Sequence, residues 1–143
     1  MSQIGERKMH TRAIRGVAWA DLAITMPFAL PFIADAMIVL IYGIDRGVGI
    51  GTPALFFEMG PLAMMFVHIM GVLGVVWALA RLRTSLPDLA RIDAFARLVV
   101  AALIVYAMAR GATPVLWLFV ATELAGSAVE FMALRKQNER ASA

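Results

Sequence analysis

The sequence predicts an all-α polytopic membrane protein: a four-helix transmembrane bundle with both termini on the cytoplasmic side. Three observations carry that fold class. Of the 143 residues, 62% are hydrophobic and 16% charged, against about 45–50% apolar and about 25% charged in soluble domains. Four apolar runs approach or exceed the ~20 residues that cross a bilayer. Lys and Arg gather beside alternate connections, as in membrane proteins of fixed orientation. At this length a single transmembrane domain, 1–143, is expected.

Span 1, Val17–Tyr42, follows a basic head with Arg7, Lys8, Arg12 and Arg15. A basic head before an apolar run suggests a signal peptide, and Ala34-Asp35-Ala36 resembles a cleavage site. The run continues to Ile44, too long for a signal core, so it is expected to be retained as a span. Pro27 and Pro31 each remove a backbone donor, so the span is either tilted and kinked or broken. Asp21 and Asp35 share a face and lie roughly 21 Å apart on an unbroken axis.

The connection Gly43–Gly60 is glycine-rich, and its GVGIG stretch lacks dinucleotide-binding spacing. Pro53–Met59 reads as a short interfacial helix or a surface loop. Span 2, Pro61–Leu82, carries His68 within its run and Trp77 toward its inner end. Gly71 and Gly74 mark a side suited to close helix packing.

Arg83–Ile92 reads as a polar turn. Span 3, Asp93–Arg110, opens with Asp93 and Arg97, an i,i+4 pair of favourable order at a helix start. The tight turn Gly111–Pro114 makes spans 3 and 4 antiparallel neighbours. On span 4, Pro114–Leu134, helical spacing puts Glu123, Gly126, Ser127 and Glu130 on one stripe. That stripe cannot face lipid, so other helices must cover it. A polar tail, Arg135–Ala143, follows.

Eleven Lys and Arg fall in the head, the middle loop with its flanks, and the tail, against Arg46 and Arg110 on the other side. The excess of positive charge puts both termini in the cytoplasm. The expected location is a bacterial inner (cytoplasmic) membrane. The pI of about 10 therefore reflects orientation in the membrane, and no nucleic-acid partner is expected.

An ionised group at the bilayer centre costs on the order of 2.5–3.5 kcal/mol even on lenient scales, so polar residues within the spans need partners. His68 and Glu123 both fall roughly 10–14 Å below the outer surface, which predicts an intramembrane polar pair. The pair would be proton-linked, ligand-binding or structural. Asp21, Arg97 and Glu130 are expected to form a charge cluster on the cytoplasmic side, with snorkelling to the headgroups as the alternative. Gly71, Gly74, Gly126 and Ser127 are the expected helix-packing positions.

Catalytic motifs are not found: there is no Ser/His/Asp spacing, P-loop or HExxH. The two histidines, His10 and His68, make a bis-histidine haem and a His-rich metal site unexpected, and no metal or cofactor is assigned. The ten methionines are scattered as packing residues. The chain has no cysteine, which removes thiolate chemistry.

Two stretches carry a family likeness. One is Glu58-Met59-Gly60-Pro61 leading into span 2, with GVLGVVWALARLR at its exit; the other is Arg91-Ile92-Asp93-Ala94-Phe95-Ala96-Arg97. With the four-span plan they resemble the DoxX-like small bacterial membrane proteins over the last two thirds of the chain. The resemblance implies an accessory role at a membrane redox complex, with quinone as the implied cofactor. Span 1, with its two prolines and two aspartates, has no counterpart in that pattern.

Three functional readings follow. The leading one is an accessory or assembly subunit of a larger redox or energy-transducing membrane complex, in contact with the lipid bilayer and with other subunits or copies of itself. The second is a small proton-coupled transporter using Asp21, His68 or Glu123. The third is a membrane enzyme acting on a lipid or quinone, with His68 and Glu123 as acid and base.

Overall fold

Proline and glycine set the helix ends in the computed structural model, which describes residues 2–53, 60–84 and 86–141. In chain order the helices are α1 (Ser2–Ala29), α2 (Ile33–Gly47), α3 (Pro61–Arg83), α4 (Pro87–Ala109) and, after a 3-10 turn over Pro114–Leu116, α5 (Trp117–Ala141). Pro61 and Pro87 stand at the helix starts, where the missing N–H would have lacked a partner anyway. Arg81 and Arg83 lie in the last turn of α3 and Asp88 in the first turn of α4, signs that suit the helix dipoles. Gly111, at φ 103°, closes the turn after α4 and donates to the Met108 carbonyl at 3.0 Å.

Span 1 is broken rather than kinked. Pro31 has no N–H to offer the last turn of α1, and Phe32 takes a left-handed φ of 66°. The N–H of Leu30 turns back to Pro27 at 3.3 Å, and that of Ile33 to Pro31 at 2.8 Å. The segments Arg12–Ala29 and Ile33–Gly47 diverge by 106°. Pro27, by contrast, sits inside α1 without ending it. Asp35 is exposed on α2, so Asp21 and Asp35 do not share a straight face as the sequence suggested.

Two further boundaries differ from expectation. The polar turn between spans 2 and 3 is shorter, because Pro87 and Asp88 start a helix rather than mark a loop. The polar tail continues α5 to Ala141, with Arg135 and Glu139 paired at 2.9 Å one turn apart. The interfacial helix considered for residues 53–59 falls largely on 54–59, outside the described residues.

Three helices, Pro61–Arg83, Pro87–Ala109 and Pro114–Lys136, are long and apolar enough to cross a membrane, and four spans result if the bent pair counts as one. Their surfaces agree: Leu62, Met70, Leu103, Tyr106 and Leu118 are each more than 60% exposed, which suits lipid or another apolar partner.

The helices pair as two antiparallel hairpins. α1 runs along α3, and α4 along α5. A β-carbon on Gly71 would press on the backbone of Phe28 and Ala29, and one on Gly74 would lie 2.8 Å from Thr25. Ser127 donates to the Ala94 carbonyl at 2.9 Å, and Phe95 meets Phe131 edge to face at 5.2 Å. α1 also meets α5. α3 and α4 reach one another through long side chains described below.

α2 leaves this arrangement sideways and touches the 3-10 turn. Asp45, fully buried, ties that end together. It accepts the Thr52 N–H at 3.0 Å and the Thr52 hydroxyl, and also bonds Thr113. The elbow leaves an apolar groove of about 640 Å³ between α1, α2 and α3, lined by Phe28, Ile38, Phe66 and Met70 among others.

Candidate functional site

Six ionisable side chains from four helices meet inside the molecule. Arg81 comes from α3, Asp93 and Arg97 from α4, Glu123 and Glu130 from α5, and Asp21 from α1. Helical spacing delivers them. Asp93 and Arg97 are one turn apart on α4, and Glu123 and Glu130 are two turns apart, about 10 Å along α5. The small residues between the two glutamates make room: a β-carbon on Gly126 would lie 2.7 Å from the Arg97 guanidinium.

Both arginines are chelated. Arg81 places Nη1 2.6 Å from Asp21 and 2.7 Å from Asp93, and Nη2 2.5 Å from Glu130. Arg97 bonds Asp93 through Nε at 2.9 Å, Glu123 through Nη1 at 3.0 Å and Asp21 through Nη2. The Trp77 indole N–H donates to Asp93 at 2.5 Å. Thr25 donates to the Asp21 carbonyl at 2.8 Å, holding that turn of α1. Arg81, Asp93, Arg97 and Glu130 are buried, while Asp21 and Glu123 are partly covered. In such surroundings an ion pair is strong and an unmatched charge expensive.

The charges do not balance. Two guanidinium groups face four carboxyl groups. Among the described residues two buried side-chain atoms also lack hydrogen-bond partners, Nε of Arg81 and Oε2 of Glu130.

The cytoplasmic-side candidates Asp21, Arg97 and Glu130 therefore meet, through Arg97, which pairs with Asp21 and lies 3.8 Å from Glu130. Arg97 is held inside and does not snorkel. The expected His68–Glu123 pair does not form. Glu123 is taken by Arg97, and His68 Nδ1 lies 3.0 Å from the carbonyl oxygen of Phe28. The physical reason is the break in span 1. It strips the end of α1 of the N–H groups that would have donated to its last carbonyls, and the imidazole of α3 supplies a donor instead.

His68→Ala is expected to cost about 1–3 kcal/mol by leaving that carbonyl unmatched. His68→Asn, whose amide nitrogen stands where Nδ1 does, is expected to recover most of the loss. Thermal unfolding of the detergent-solubilised variants checks both.

Asp93 enters the site with Arg97, the pair that the sequence spacing predicts, whereas Arg81 and Trp77 belong to the site although the sequence pointed elsewhere. Arg81 read as an orienting cation at the end of span 2. One signal was present: Arg97 alone could not balance the acids within the spans, so a second cation had to enter.

Among the described residues no group of His, Asp and Glu has the geometry to hold a metal ion. No family model, curated protein or solved structure matches the chain.

Proposed function

We propose that this chain is an accessory or assembly subunit of a larger membrane complex, a four-span protein of a bacterial inner membrane with both termini cytoplasmic. The observation that supports the subunit role is the open arrangement of the helices. α3 leans mainly on α1 and α4 mainly on α5, so each keeps a long apolar flank for another protein. Only 11% of the α3 span is buried within the chain. The DoxX-like likeness points to a quinone-linked redox assembly as the class of partner.

For the topology, α1 is the first crossing: its segment Arg12–Ala29 is about 27 Å long at 1.5 Å per residue. α2, turned by 106°, then lies along the outer surface. Arg81 and Arg97 are consumed by internal ion pairs, yet nine cytoplasmic-side Lys and Arg remain against Arg46 and Arg110, which supports the same orientation.

Extraction of the native protein in mild detergent, followed by native mass measurement, tests the subunit reading. A stoichiometric assembly with larger membrane proteins is the expected result. A free monomer that remains active on its own would overturn it. One observation favours a second reading, proton-coupled transport: the carboxyl groups outnumber the guanidiniums in the buried cluster. In that case Asp21→Asn or Glu123→Gln would abolish proton-driven uptake into vesicles holding the pure protein.

A further inference from the structure

Glu130 is the most enclosed member of the cluster, with a side chain of 0% exposure. Its Oε1 accepts from Arg81 at 2.5 Å. Its Oε2 is buried and receives no hydrogen bond. Nε of Arg97 stands 3.8 Å from that oxygen and donates instead to Asp93 at 2.9 Å. A bare carboxylate oxygen left without a donor in such a place is costly. The carboxyl group of Asp93 lies beside that of Glu130, the two sharing the Arg81 guanidinium at 2.7 and 2.5 Å. Two carboxylates at hydrogen-bond distance repel, and a proton between them turns repulsion into a bond.

We propose that Asp93 and Glu130 form a proton-binding site, with the proton on Oε2 of Glu130 and donated to the Asp93 carboxylate. The remaining groups around the pair fit this assignment. Arg81 on α3 faces both acids. Arg97 on α4 faces Asp93 and approaches Glu130. Asp21 on α1 and Glu123 on α5 reach the site through the two arginines, and Trp77 donates to Oδ1 of Asp93. With one proton bound, two guanidiniums face three carboxylates, and the uncompensated one falls at the partly exposed edge of the cluster rather than in its centre. The two guanidiniums leave little room for a metal cation in the same place, so the ligand is the proton itself.

This site does not depend on the subunit reading, and its test reads a different quantity. Infrared spectra of the full-length protein in lipid nanodiscs are to be recorded across a pH series. A protonated-carboxyl C=O band is expected at neutral pH, lost at alkaline pH, unaffected by sodium at fixed pH, and missing from Glu130→Gln. Asp93→Asn is expected to shift the band by changing its hydrogen-bond acceptor. Glu130→Gln is also expected to keep the wild-type thermal midpoint, because the Gln amide N–H can donate to Asp93 as the acid does. Absence of the band from the wild type at neutral pH would overturn the proposal, even if no variant folds. So would an undiminished band in Glu130→Gln, or displacement of the band by sodium.

Discussion

Arg81→Met is expected to destabilise the protein by about 3–5 kcal/mol, the cost typical of removing one partner from a buried ion-pair network. Arg81 is 2% exposed and contacts Asp21, Asp93 and Glu130 within 2.7 Å. Methionine fills much of the space of the stem but leaves these acids without their shared cation. Because that cation joins α3 to α1, α4 and α5 at one point, the loss spreads over all four helices. Thermal or denaturant unfolding at neutral pH measures it. Acidification should restore part of the loss, since a protonated carboxyl no longer needs a guanidinium. The double variant Arg81→Met/Asp21→Asn should lose less than the sum of the two single changes, as coupled neighbours do. A loss below about 1 kcal/mol, the range of exposed ion pairs, would show that the network contributes little to the folded state.

Gly71→Val is expected to have the second largest effect. The first carbon of any side chain at Gly71 would stand 2.5 Å from the Phe28 carbonyl carbon and 2.8 Å from the Ala29 Cα. Those are backbone atoms at the end of α1, where the chain turns, so neither can rotate away. Overpacking of this kind costs about 1–3 kcal/mol, and more when the backbone must move. Separating α1 from α3 there would also pull His68 from the Phe28 carbonyl. Gly74→Ala is expected to lose less, because its obstacle is the Thr25 side chain. Gly16→Ala, with nothing within 4 Å, should gain up to ~1 kcal/mol from helix propensity. Equal losses at Gly71 and Gly74 in unfolding midpoints would contradict this account of the α1–α3 contact.

Much of the helical plan was legible because it follows from local chemistry. Apolar runs, Pro61 and the Gly111 turn announce their elements directly. The Asp93–Arg97 pair was legible for the same reason: both residues lie on one helix, where spacing fixes the distance. Partners on different helices were harder. Periodicity says which residues share a face but not how one helix is rotated against the next. Asp21, Arg97 and Glu130 could be grouped by depth, yet depth alone equally suggested His68 with Glu123. The true acceptor for His68 is a main-chain carbonyl exposed by a helix break, and a carbonyl has no side-chain signature. Arg81 was missed because an arginine near the end of a span looks the same whether it turns outward to headgroups or inward to acids. Pro87 misled in the opposite sense, since the residue that breaks a helix also starts one.

The way the charges are divided among the helices has a consequence for biogenesis. As the chain emerges, α1 brings Asp21, whose partner cations Arg81 and Arg97 lie on later helices, and α3 brings Arg81 without an acid on its own helix. α4 arrives with its own matched pair. α5 comes last with Glu123 and Glu130, two acids that cost up to several kcal/mol each if exposed to hydrocarbon. Insertion of α5 therefore depends on the earlier helices already waiting with both guanidiniums. A copy truncated before α5 would hold both arginines with Asp21 and Asp93 alone, one acid each, and without the helix that covers them.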